Sequence, residues 1–163
     1  MKPAATIRSY LSSDWEQVCT VHDQARVQEL SRGSVDPRAF RPMAEVAERD
    51  EFFVSETLVA CIGVSVIGFV SWHDAYISWL YVSPANQRRG VGGLLLDAAL
   101  RHIGPQAWTN MVGGNEPALA LYRAAGLEVV WTRPTDCDGF PCSGVRLALP
   151  TSCMRDPSAN RRP

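Results

Sequence analysis

Lysine is almost missing from this chain: Lys2 is the sole one among 16 basic residues. That shortage excludes a nucleoside-triphosphate loop, which sets Gly-Lys-Ser/Thr against the terminal phosphates and their metal. Long apolar runs are missing as well. None approaches the roughly 20 residues of a membrane-spanning helix, and the opening Met1-Lys2-Pro3-Ala4-Ala5-Thr6 has no apolar core of a signal peptide. A cytoplasmic location and no membrane partner are therefore expected. Net charge is only −1 and the arginines are scattered, so no basic stripe is available for nucleic acid. The five cysteines form an odd set. Cys19 and Cys61 fall in apolar periodic segments, where a thiol acts as a small hydrophobe. Cys137 and Cys142, separated by Asp138-Gly139-Phe140-Pro141, permit a bridge across a loop or half of a metal site. No second Cys/His pair completes a tetrahedral zinc site, so reduced thiols and no metal are expected.

What is present suffices for one domain with a real core, given 163 residues. That domain is expected over 1–149. The Ser-, Asn-, Arg- and Pro-bearing tail over 150–163 has too little apolar surface to order itself and is expected to be disordered. Thr6-Ile7-Arg8 reads as a first strand. Ser13-x-x-Glu16 reads as a capping box opening a helix to about Leu30. Two short helices are expected between Arg38 and Glu56, limited by Pro42. Three β-rich runs follow, Leu58 to Ile62, Val66 to Trp72 and Tyr76 to Val82, with separators short enough for antiparallel hairpins. Val91 to Ile103 is a helix stopped by Gly104-Pro105. Ala107 to Val112 is a strand reached by a helical crossover, hence parallel to the Tyr76 strand. Asn115 and Pro117 open a short helix that Gly126 ends. Val129 to Thr132 and Val145 to Leu149 are late strands joined by a Pro134 to Ser143 loop. There are no internal repeats.

The chemistry is concentrated where the Tyr76 strand runs into Gln87-Arg88-Arg89-Gly90-Val91-Gly92-Gly93. Three glycines among four residues let a turn bend tightly and bring its amides close to an anion. The helix that starts there adds free N–H groups and the positive end of its dipole, while Arg88 and Arg89 add formal charge. A multiply charged phosphate ligand is expected. The glycine spacing does not fit a dinucleotide fingerprint, and no acidic residue follows in the right context.

The pattern Gln87-x-x-Gly90-x-Gly92, preceded by Leu80-Tyr81-Val82-Ser83-Pro84, resembles the coenzyme A pyrophosphate loop of the GNAT superfamily of N-acetyltransferases. Asn115-Glu116-Pro117-Ala118-Leu119-Ala120-Leu121-Tyr122-Arg123-Ala124-Ala125-Gly126-Leu127 resembles that superfamily's second acetyl-coenzyme A motif. The resemblance covers about Thr6 to Leu149, and the sequence departs from the usual pattern at Leu127, where phenylalanine is commoner. It implies an α/β fold with a mixed central sheet of about six or seven strands and helices on both faces. The N-terminal part of that sheet is antiparallel, and parallel strands four and five are splayed for coenzyme A.

The resemblance also implies an acyltransferase that moves the acetyl group of acetyl-coenzyme A directly to a primary amine. Leu80, Tyr81 and Val82 would supply backbone groups to the pantetheine arm, and Gln87, Arg88, Arg89, Gly90, Val91, Gly92 and Gly93 would hold the pyrophosphate. Asn115 would contact pantetheine or cap its helix. Tyr122 is the candidate general acid, since a tyrosine near pKa about 10 can nearly balance a thiol near about 8.5. The base is less legible. An alkyl ammonium is only about one part in a thousand neutral at pH 7.4, yet Tyr76-Ile77-Ser78-Trp79-Leu80-Tyr81 has no carboxylate, and Ser78 takes a position often acidic. His73 and Asp74 are the nearest titratable groups along the chain, with Glu29 and His22 as distant alternatives. Trp79 and Glu29 are candidate acceptor contacts. A small-molecule amine is the expected partner, and a homodimer is left open. The alternatives are a non-catalytic acyl-coenzyme A sensor on the same fold and a protein N-terminal acetyltransferase.

Overall fold

The computed structural model describes residues 4–150; the expected tail lies outside them from 151 onward. Seven strands form one sheet in the order β1-β2-β3-β4-β5-β7-β6. They are β1 (Thr6–Ser9), β2 (Glu56–Ile62), β3 (Ser65–His73), β4 (Tyr76–Val82), β5 (Trp108–Val112), β6 (Glu128–Cys137) and β7 (Phe140–Ala148). The first four pair antiparallel, as do β5, β7 and β6, and the β4–β5 junction is parallel. Helices α1 (Trp15–Arg32) and α2 (Met43–Val46) cover one face, and α3 (Val91–Ile103) and α4 (Glu116–Ala124) the other. None of the described helices is long and apolar enough to cross a membrane.

Strand alternation sorts the core into two layers. Val59, Phe69 and Trp79 meet Val18 and Val21 of α1 together with Met43, Val46 and Phe52. Ile67, Val70 and Ile77 meet Leu95 and Leu96 of α3 and Tyr122 of α4. The α1 stripe is Val18, Val21, His22 and Ala25, all buried at i, i+3, i+4 and i+7. A histidine in that stripe is a first sign that this face does more than pack.

Three local expectations need correction. The Ser13-x-x-Glu16 box does not form; a 3-10 turn at Ser12–Asp14 precedes α1, and α1 has no side-chain cap. Asp14 instead accepts from Leu11 N–H at 2.8 Å and from both terminal Arg8 nitrogens at 2.7 and 2.9 Å. A carboxylate paired with a guanidinium outcompetes a serine hydroxyl for nearby donors. The Arg38–Glu56 region holds one four-residue helix, α2, flanked by 3-10 turns at Pro37–Ala39 and Phe52–Val54, rather than two short helices. The Pro134–Ser143 loop is a hairpin: β6 and β7 run to a turn at Asp138-Gly139, both at positive φ (47° and 85°). Asp-Gly is the signature of such a turn. Pro134 is tolerated because β6 is the sheet edge. Cys137 and Cys142 meet across this hairpin with their sulfurs 3.1 Å apart, as free thiols. Burial pushes the Cys142 thiol up to about 12.

Asp14 supplies a stability prediction. The Arg8 hydrogen bond, outweighing burial and helped by the Leu11 N–H, holds this carboxyl below its ordinary value. Its folded value is depressed, so the stabilisation is present above the unfolded value near about 3.9 and is lost as pH falls through the folded one. Asp14→Asn is expected to cost about 2 kcal/mol at neutral pH, a Tm drop of about 4–8 °C. Thermal melts at falling pH should show the gap between variant and wild type closing below about pH 4.

A candidate active site at the splayed strands

Strands β4 and β5 part company early. Only Tyr76↔Trp108 and Ile77↔Thr109 are paired, while β4 stays bonded to β3 out to Val82 and β5 turns its full length to β7. Thr109 Oγ1 donates to the Ile77 carbonyl at 2.8 Å, occupying the carbonyl at which the ladder stops. From Ser78 to Val82, β4 therefore has no partner strand on this side and faces a cleft.

That cleft is a cavity of about 370 Å³, lined by Leu80, Tyr81, Val82, Gln87, Arg88, Gly90, Gly92 and Gly93 on one side and by Asn115 and Tyr122 on the other. Gly90 caps α3 at φ 80°, a conformation that side chains other than Gly adopt at a cost. A Cβ placed on Gly90 or Gly93 would meet nothing within 4 Å, so the turn has empty space where an anion would sit. Leu94 N–H is bonded to Gly90 O at 3.1 Å, and the N–H groups of Val91, Gly92 and Gly93 precede it at the helix start, where intrahelical acceptors are lacking. The Val91 side chain itself is buried in the core, leaving only its amide for a ligand. Gln87 braces the turn: its amide donates to Val82 O and to Gln28 Oε1, each at 3.0 Å. Arg88 lines the cavity; Arg89 does not, and reaches Asn86 Oδ1 at 3.4 Å.

Asn115 stands at the start of α4 but does not cap it with its side chain, correcting that part of its expected role. Pro117 occupies the second helical position and has no N–H, so one of the two amides a cap would normally reach is gone. Asn115 Oδ1 is left buried with no partner. Such orphans are rare and mark a missing ligand or water. Across the cavity Tyr122 is 6 % exposed. Burial pushes its hydroxyl above the ordinary value, with Thr109 pulling the other way, so it stays a protonated donor at neutral pH.

A second cavity, of about 330 Å³, adjoins the first; Ser78 and Tyr81 line both. Its walls include His22 and Arg26 of α1, Arg41 and Arg49, Trp79 of β4, and Asp138 of the β6–β7 turn. Arg49 bonds Asp50 at 2.8 Å and Asp138 at 2.7 Å, tying the hairpin tip to the opposite wall. Trp79 is buried, and its Nε1 is unpartnered. Of the described buried side-chain polar atoms, Trp79 Nε1 and Asn115 Oδ1 are the two without partners, each on a residue that lines one of the cavities. His22 Nδ1 lies 2.8 Å from Asp23 Oδ1, which also accepts from Met43 N–H at 2.8 Å. Burial lowers the His22 ring's proton affinity, and the Asp23 hydrogen bond opposes it.

The expectation that His73 and Asp74 are the nearest titratable groups is corrected. They sit at the last residue of β3 and in the turn that follows it, remote from the glycine turn, with half and nearly all of their side chains exposed, and line neither cavity. Glu29, placed far away by chain distance, lines the first cavity. It accepts from Tyr81 Oη at 2.8 Å and from Arg26 Nη1 at 2.7 Å. Sequence reading missed Gln28 and Thr109. Arg32 lines the first cavity and reaches Gln87 at 3.5 Å. The available signal was periodic: His22, Ala25, Arg26, Glu29 and Arg32 lie on one face of α1 at helical spacing. Polar groups inside that otherwise buried stripe mark the site. Among the described residues no group of three or more His, Cys, Asp or Glu side chains is placed to hold a metal.

Comparison with known proteins agrees with this geometry. The acetyltransferase (GNAT) family profile matches residues 6–127. The uncharacterized N-acetyltransferase YafP of Escherichia coli is 26% identical over 136 residues, covering 82% of this chain and 87% of its own length. A GCN5-related N-acetyltransferase from Rhodopseudomonas palustris superposes with a TM-score of 0.72 at 19% identity, covering 91% of this chain and 97% of the other. The structure of yncA from Salmonella typhimurium with its cofactor acetyl-CoA superposes with a TM-score of 0.65 at 19% identity, covering 94% and 99%.

Proposed function

Because this chain belongs to the acetyltransferase (GNAT) family, we propose that it transfers the acetyl group of acetyl-coenzyme A to the primary amine of a small molecule, directly, in a ternary complex. One observation carries this reading: two cavities meet at Ser78 and Tyr81, so a donor and an acceptor have separate rooms with a common wall. The first room suits the donor. The turn from Gln87 to Gly93 offers amides and Arg88 to a diphosphate. The open edge of β4 from Leu80 to Val82 offers strand-type bonds to a pantetheine arm, and Asn115 Oδ1 offers an acceptor in want of a donor. The second room, at about 330 Å³, suits a small molecule better than a long polymer. Tyr122, held neutral by burial, is assigned as the proton donor to the departing thiolate. The free thiols fit a cytoplasmic setting.

Thiol release measured over a panel of amino acids, polyamines, aminoglycosides and short peptides tests this, beside calorimetry with acetyl-coenzyme A. Release with a small amine is the expected result. Binding without release on any amine would point to a sensor, and release on peptides alone to a protein N-terminal acetyltransferase.

A further inference from the structure

We infer that His22, oriented by Asp23, is the general base of the second cavity and takes the proton of an acceptor ammonium bound there. This rests on the acetyl-transfer reading above and assigns the proton acceptor that β4 lacks.

The geometry begins with the tautomer. A carboxylate can only accept, so the 2.8 Å contact to Asp23 makes Nδ1 the N–H donor and leaves the lone pair of the neutral ring on Nε2. Asp23 is itself steadied by Met43 N–H at 2.8 Å. The ring is wedged edge-on against Trp79 at 5.3 Å and Tyr81 at 5.0 Å, so its orientation is set from two sides. Nε2 makes no hydrogen bond among the described residues, and the ring lines the second cavity. A nucleophile's base held by a third group is the arrangement that acyl-transfer sites use.

Three of the competing carboxylates are otherwise engaged. Glu29 has Arg26 and the Tyr81 hydroxyl on the same carboxylate oxygen, and Asp50 and Asp138 are held by Arg49. The groups facing His22 are Asp23, Arg26 and Glu29 from α1, Tyr76 and Tyr81 from β4, Arg41, Arg49, Asp50 and Glu51 from the segment across the cavity, and Asp138 from the hairpin tip. Burial makes the ring easier to deprotonate, so it is neutral at physiological pH and ready to accept.

The protons balance. An ammonium gives one to Nε2, and its freed lone pair attacks the thioester carbonyl. The C–S bond breaks as the C–N bond persists; Tyr122 protonates the sulfur and recovers a proton from the adduct nitrogen. The proton left on His22 passes to solvent. An amide, a thiol and one proton are the products.

The test is a pH profile of kcat/KM on an amine that wild type acetylates. His22→Gln is expected to lose the low-pH limb and about a hundredfold in rate, with acetyl-coenzyme A affinity retained. Asp23→Asn should keep a limb but move it to lower pH, because Asp23 raises the ring's proton affinity. A purely structural histidine would leave the limb where it is, so an unmoved limb in either variant overturns the inference. Should His22→Gln lose coenzyme binding through misfolding, Asp23→Asn decides alone. Wild type that binds acetyl-coenzyme A yet turns over no amine overturns the transfer reading itself, and this inference with it; turnover with an unmoved limb removes only the base.

Discussion

Gly90→Asp is expected to abolish acetyl-coenzyme A binding while leaving the fold standing. The fold survives because a Cβ at Gly90 meets nothing within 4 Å, and aspartate is among the residues that tolerate positive φ best, at a cost of about 1–2 kcal/mol. Binding fails for an electrostatic reason. The new carboxylate projects into the space the diphosphate would fill, and two like charges about 4 Å apart repel by about 4 kcal/mol at a surface-like dielectric, about a thousandfold in affinity. Calorimetry should show no heat, and thermal melts only a modest shift. Gly63→Asp is the matched control: Gly63 also has positive φ (58°) and open space around it, but lies in the β2–β3 turn outside both cavities. It should lose similar stability and bind normally. Unimpaired binding by Gly90→Asp would mean that the glycine turn is not the phosphate cradle.

Tyr122→Phe should lower kcat by about a hundred to a thousandfold without weakening coenzyme binding. The ring belongs to the core layer beneath the cleft, and phenylalanine preserves that packing, so stability and KM for acetyl-coenzyme A should hold. What disappears is the hydroxyl. With burial raising its pKa above the ordinary value of about 10, wild type keeps the proton through the physiological range, and no high-pH limb below about 10 should be traceable to it. A variant with kcat near wild type would reduce Tyr122 to a packing residue.

The elements around the glycine turn were readable because their signals are local. The predicted helix from Val91 to Ile103 has the bounds of α3, and the three β-rich runs pair as antiparallel hairpins, since turn residues and alternation act over a few positions. The β6–β7 hairpin is hard to read because Pro134 and Pro141 look like strand breakers until the tertiary structure puts Pro134 on the edge strand β6 and Pro141 on the part of β7 that runs beyond its β5 partner. Asn115 was read as a cap because its position is right; Pro117 removes a target amide, and the side chain ends up facing a cavity instead.

Sequence by itself determined the glycine turn, the parallel crossover after it and the tyrosine helix, all continuous along the chain. Only the tertiary structure decided which groups stand opposite them. Glu29 meets Tyr81 across a separation of 52 residues, and Gln28 meets Gln87 across 59. No periodicity announces such pairs. They exist because α1 buries an apolar stripe against β3 and β4, and the polar side chains sharing that stripe, His22 foremost, are carried with it to the wall of the second cavity.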